Sequence, residues 1–236
     1  MRTTPASTGP FADTPLKWVG VVTALLALLL LLNQASNVFA ELRERERQVG
    51  ELQAMAERQQ RAGAYQDAWA SLERAAVTAD QGSYLARLAR PEAARQAVRS
   101  AQEDLAMAWI ERVSAAGGAR FSDTVDPLLS TLTAGAATAA GRRKADLLAH
   151  AGWAHFLKSR DGGTNAKPED AYREAVAIDA GNPFAHAHWG HLLMWQHGSA
   201  DEAARHFAEG VASGRERAYV RRLQLTAFRL YGSAAN

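Results

Sequence analysis

The chain has 236 residues, 47% of them hydrophobic and 22% charged, a balance that excludes a disordered segment and suits a folded domain. Lys and Arg number 27 against 25 Asp and Glu, and a net charge of +2 with no basic stripe interleaved with aromatics excludes a nucleic-acid binder. With 0 cysteines there is no disulfide framework and no thiolate metal centre, which fits an oxidising compartment without requiring one.

Residues 1–15 carry Pro5, Gly9, Pro10 and Pro15 among Ser and Thr and read as a flexible tail. Residues 18–32, WVGVVTALLALLLLL, form an almost unbroken apolar run, and no charge follows until Glu41. At 1.5 Å per residue this run covers about 22 Å of a roughly 30 Å hydrocarbon core. Leu16 and the uncharged stretch 33–40 lengthen it enough to span, so residues 16–40 are expected to form one transmembrane helix or signal anchor. Lys17 and Trp18 would mark one interface. Gly20, Thr23, Ala24 and Ala27 offer a small-residue packing face, and Leu32 closes the run.

The competing reading is a signal peptide cleaved after Val38-Phe39-Ala40. Against it stands a long n-region, with Arg2 and Lys17 spread across 17 residues. Arg43, Arg45 and Arg47 beyond the run nearly balance the N-terminal cations, so the positive-inside rule leaves orientation open. The short N-tail before a Leu-rich core resembles a bacterial signal anchor. The expected location is therefore the bacterial inner membrane, single-pass, with the C-terminal domain periplasmic.

Residues 41–61 alternate Glu and Arg, contain no Pro, and predict a helical stalk that merges into a first repeat. Leu42, Val49, Leu52 and Met55 fall at heptad-like intervals along it. Residues 62–143 continue as a helical region of degenerate repeats. Breaks are predicted at Gly63, Gly117-Gly118, Gly162-Gly163, Gly181-Asn182-Pro183, Gly198 and Gly214, and helix starts at Ser122-Asp123 and Ser199-Ala200-Asp201. No segment alternates as a strand does, and the predicted class is all-α.

The most patterned stretch, residues 183–214, has Trp189-Gly190 in its first helix, Gly198 at its turn, and Ala203 and Phe207 in its second. This resembles the tetratricopeptide repeat, a helix–turn–helix unit with a period near 34 residues. His197 stands as an insertion before the turn, and Gly210 where the family usually has Ala. The preceding unit repeats the resemblance through Leu148, Gly152 and Trp153, then Tyr172, Ala175, Val176, Ile178 and Asp179. It departs in a longer turn over residues 159–167 and in Pro168. A third match runs from Leu52 through Ala56, Gly63, Tyr65, Ala68, Leu72 and Ala75 to Asp80.

The resemblance implies two repeats over residues 144–216, then a capping helix and C-terminal tail over 217–236. The whole would be a single N-terminal transmembrane helix followed by a TPR-like α-solenoid.

Such solenoids bind extended peptides or partner helices in a groove lined by their first helices. The groove candidates here are Trp153, Phe156, Phe184, Ala187, His191, Met194 and Trp195. They are apolar and lack the Lys, Arg and Asn that the family's carboxylate-gripping variant uses, so an apolar segment of a partner protein is the expected occupant. Aromatics at helical spacing also serve as core, and both readings stand open.

All 7 histidines lie in the C-terminal half, between His150 and His206. His188 and His191, spaced i,i+3, share a helix face and are the candidate metal pair, with His186, His197, His150 and His155 nearby. No cysteine, HExxH or carboxylate at ligand spacing accompanies them, so no metal and no cofactor are expected. GxGxxG, Walker-type and GxSxG motifs do not occur, and the acidic residues pair nowhere as acid and base, so no enzyme is expected.

The expected function is that of a membrane-anchored scaffold or assembly factor for proteins of a membrane or periplasmic complex. The alternatives are a stoichiometric accessory subunit of such a complex, or a His-based metal or haem protein.

Overall fold

The computed structural model describes residues 14–81, 92–113, 121–160, 167–196 and 199–232. Among them are nine helices and no strand. The predicted breaks at Gly117-Gly118, Gly162-Gly163 and Gly198, and most of the N-terminal tail, lie outside the described residues.

The first helix, α1 (Thr14–Arg61), runs 48 residues without a break. Its Glu/Arg segment holds near-neighbour ion pairs, Arg47 bridging Glu44 and Glu51. Every residue from Trp18 to Leu32 is exposed, and the helix is long and apolar enough to cross a membrane. Gly63 ends the turn after it at φ +78, a left-handed conformation that favours glycine.

From there α2 (Tyr65–Asp80) runs back along α1. Ser71 donates to Gln59 Oε1 at 2.8 Å near the turn, and Arg45 reaches the Gln81 carbonyl at the far end. Ala56, Ala68 and Leu72 are buried where the two helices meet.

The next helices are α3 (Glu92–Ile110), α4 (Phe121–Thr138) and α5 (Gly141–Arg160). Two pairs follow: α5 with α6 (Pro168–Ile178), and α7 (Pro183–Trp195) with α8 (Ala200–Ala212). Glycine sets the closeness of each crossing. A Cβ on Gly152 would lie 2.5 Å from Tyr172 Cε1, and one on Gly190 would lie 3.0 Å from Phe207 Cε2 and 3.1 Å from the Ala203 carbonyl. Early α7 faces late α8, since Gly210 abuts His186 and Pro183, so that pair is antiparallel.

Side chains with free oxygens start the helices of the last pair. Asn182 accepts from the Ala185 amide at 2.9 Å, and Ser199 accepts from the Glu202 amide at 3.3 Å. The break at Gly181-Asn182-Pro183 and the start at Ser199 fall where the sequence predicts them.

The last helix, α9 (Arg217–Tyr231), occupies the segment predicted to cap the domain. It packs on α7 and α8 through Tyr219, Val220 and Ala227. The main core gathers Ala106 and Ile110 of α3, Val125, Leu128 and Leu132 of α4, Leu147, Phe156 and Leu157 of α5, and Leu192 of α7. Two of these helices, α5 and α7, are buried on nearly every side, which makes them the interior columns of the domain.

Candidate functional site

The densest chemistry lies between α5 and α7. Trp153 stacks on His188 with ring centroids 4.7 Å apart. Phe156 meets both His191 and Trp195 at 5.4 Å. Phe184 lies 4.6 Å from His150 and 5.4 Å from Tyr219. These are ordinary separations for tilted and edge-on aromatic pairs, and they hold α5, α7 and α9 in register.

His188 uses both of its nitrogens. Nδ1 lies 3.1 Å from the Ala149 carbonyl and Nε2 2.5 Å from the Tyr219 hydroxyl. A carbonyl oxygen only accepts, so the ring proton sits on Nδ1 and Nε2 accepts from Tyr219. Burial holds His188 well below the ordinary histidine range, and the neighbouring His150 adds to it. Burial also pushes the Tyr219 hydroxyl well above its usual value. Both groups are therefore neutral at pH 7, as this hydrogen bond requires.

His150 is similarly engaged, with Nδ1 2.6 Å from the Asp146 carbonyl and Nε2 3.0 Å from Glu111 Oε1. It ties α5 to the segment just beyond α3.

His191 differs. It is buried, its Nδ1 has no hydrogen-bond partner among the described residues, and Trp153, Phe156 and Tyr231 surround it edge-on. Burial, aided by Arg160, pushes it down to about 4.

This geometry locates both sets of candidates that the sequence offers. Trp153, Phe156, Ala187, His191 and Met194 are buried, and Phe184 and Trp195 are half-buried, so the groove candidates fill the interior between helix pairs. The cause is the crowding of α7, which has α5, α6, α8 and α9 around it. His188 and His191 are not a metal grip either: one has spent both nitrogens and the other sits among aromatic rings. The residues expected to form the anchor, Trp18, Gly20, Ala24, Ala27 and Leu32, are exposed along α1, which also contains Lys17.

Sequence reasoning missed a different group. His186 of α7 meets His206 and Glu209 of α8, with one ligand atom from each lying within 4.8 Å of the others. The signal was the i,i+3 spacing of His206 and Glu209, read together with the repeat pairing that lays α8 across α7.

Fold and site together define an all-α protein with one long apolar N-terminal helix and a helical domain built around a histidine–aromatic interior. Neither protein-family models, nor curated proteins, nor solved structures match the chain.

Proposed function

We propose that this chain is a membrane-anchored, TPR-like helical-repeat scaffold or assembly factor that binds protein subunits of a membrane or periplasmic complex. The observation that carries this reading is the continuity of α1. The apolar exposed segment and the helix that packs on α2 are one uninterrupted element, so anchor and domain form one rod. Two features support the repeat reading: the glycine-mediated crossings of α5 with α6 and of α7 with α8, and the contact of α5 with α7 as successive first helices. The anchor lies in the bacterial inner membrane and the domain on the periplasmic side. Its action is binding, with the bilayer holding it at high effective concentration near its partner.

The test is affinity purification of the full-length chain, carrying a non-histidine tag, from its native membrane in mild detergent. Mass spectrometry then identifies the accompanying proteins and the N-terminal peptides. Residues 18–32 retained, together with a defined set of membrane subunits at sub-stoichiometric levels, is the expected result. Fixed stoichiometry through every column would instead make it an accessory structural subunit. A soluble chain beginning at Glu41 without membrane partners would overturn the proposal.

A further inference from the structure

Where α8 crosses α7, His186, His206 and Glu209 converge. Their Nδ1, Nδ1 and Oε2 atoms form a triangle with edges of 3.0 Å between the two imidazoles, 3.1 Å from His186 to Glu209 and 3.9 Å from His206 to Glu209. Tetrahedral zinc, with bonds of about 2.0 Å to imidazole nitrogen and carboxylate oxygen, sets its ligand atoms about 3.3 Å apart, a spacing this triangle reaches by side-chain shifts of about 0.2–0.6 Å.

The tautomer of His186 is already set. Its Nε2 lies 2.9 Å from the Ala180 carbonyl, in the turn between α6 and α7. Since that oxygen only accepts, the proton sits on Nε2 and the Nδ1 lone pair faces the triangle. An outer hydrogen bond of this kind, from the far nitrogen of a histidine to a backbone carbonyl, orients metal-ligating imidazoles. His206 is held by a different partner: its ring stacks on Trp189 with centroids 4.5 Å apart and planes 21° apart.

Burial, with His186 next in importance, keeps the His206 ring below the ordinary range and so favours the neutral form a ligand needs. Glu202 and Glu209 pull the other way, while Arg205 reinforces the depression.

The burial gradient supplies an entry path. The side chain of His186 is 4% exposed, that of His206 15%, and that of Glu209 59%. One side of the triangle therefore opens to solvent, where a water completes a tetrahedron. The backbone beneath is close-packed, since a Cβ on Gly210 would lie 3.4 Å from both the His186 Cβ and the Pro183 carbonyl. Without a metal the two imidazoles are within hydrogen-bond distance of each other, at 3.0 Å.

We propose that His186, His206 and Glu209 form a zinc site, with water as the fourth ligand, that fastens α7 to α8. Two imidazoles and a carboxylate, with no thiolate, suit Zn²⁺ at tetrahedral coordination. The site goes beyond the scaffold reading and does not depend on it.

The test uses the full-length chain in detergent, purified through a non-histidine tag and stripped with chelator. Zn²⁺ is titrated by calorimetry, and unfolding is followed by circular dichroism with and without the ion. The parent chain should bind one Zn²⁺ and gain Tm on binding, because the ion stabilises only the folded state. His206→Ala and Glu209→Gln should keep the helical spectrum and weaken binding by tenfold or more. Asp201→Asn, on the same helix outside the triangle, should retain the parent affinity. Both ligand positions on α8 are more exposed than His186, so these variants test the site without emptying the core. Absence of Zn²⁺ binding by the parent, or parent-like affinity in His206→Ala, would overturn the proposal.

Discussion

Gly152 and Gly50 both lie inside helices, and their surroundings give the same substitution opposite consequences. Nothing lies within 4 Å of a Cβ on Gly50, so Gly50→Ala should add about 0.5–1 kcal/mol of stability through helix propensity alone. At Gly152 the added methyl meets the ring of Tyr172, which is fully buried and has nowhere to swing. Gly152→Ala should destabilise by roughly 1–3 kcal/mol, since forced displacement in a packed interior outweighs the propensity gain. Urea unfolding of the two variants side by side checks both signs.

His191 makes a second expectation at this scale. Its folded value of about 4 lies below the ordinary 6.5. As pH falls below 6.5 the unfolded chain takes up the proton first, so stability is complete above that value and declines toward pH 4. The loss from this residue approaches about 3 kcal/mol at the acid end. His188, depressed in the same direction by burial, deepens the decline. His191→Phe should make the stability profile between pH 6.5 and 4 shallower while leaving pH 7.5 stability little changed. Denaturant midpoints across that range are the measurement, and an unaltered slope would rule the assignment out.

Among the elements, the caps of α7 and α8 differ in what else they hold. Ser199 is exposed and only caps α8, so Ser199→Ala should cost about 1 kcal/mol. Asn182 is fully buried, caps α7, and also donates through Nδ2 to Asp146 Oδ1 on α5 at 2.7 Å. Asn182→Ala removes the cap and the charge-assisted hydrogen bond to the half-buried Asp146, and should cost about 2–3 kcal/mol. A double-mutant cycle with Asp146→Ala isolates the part owed to the α5 link.

These same elements show what the sequence disclosed. Gly63, Gly181-Asn182-Pro183 and Ser199 were legible because turn and cap chemistry is decided within a few residues. The fate of Trp153, Phe156 and Met194 was not. A groove face is read from a helix with one wet side, and α5 and α7 have almost none, so periodicity could not tell lining from core. The His186–His206–Glu209 triangle was hidden for a related reason: it depends on how far α8 slides along α7, which Gly190 and Phe207 settle in three dimensions.

At the scale of the whole molecule, α1 matters most. Arg45, five positions beyond Ala40, ties α1 to the rest of the domain through the Gln81 carbonyl. With the apolar segment in a bilayer, no swivel separates membrane from domain, and α1 acts as a shaft. Each residue inserted between Ala40 and Arg45 would turn the entire domain by about 100° and raise it by about 1.5 Å. Seven inserted residues, close to two full turns, would nearly restore its heading at a height greater by about 10 Å. A flexible tether would respond to such insertions only through reach. Here the angular bearing of the domain is set by residue count, so one added residue and seven added residues should differ in partner capture in the order opposite to their length.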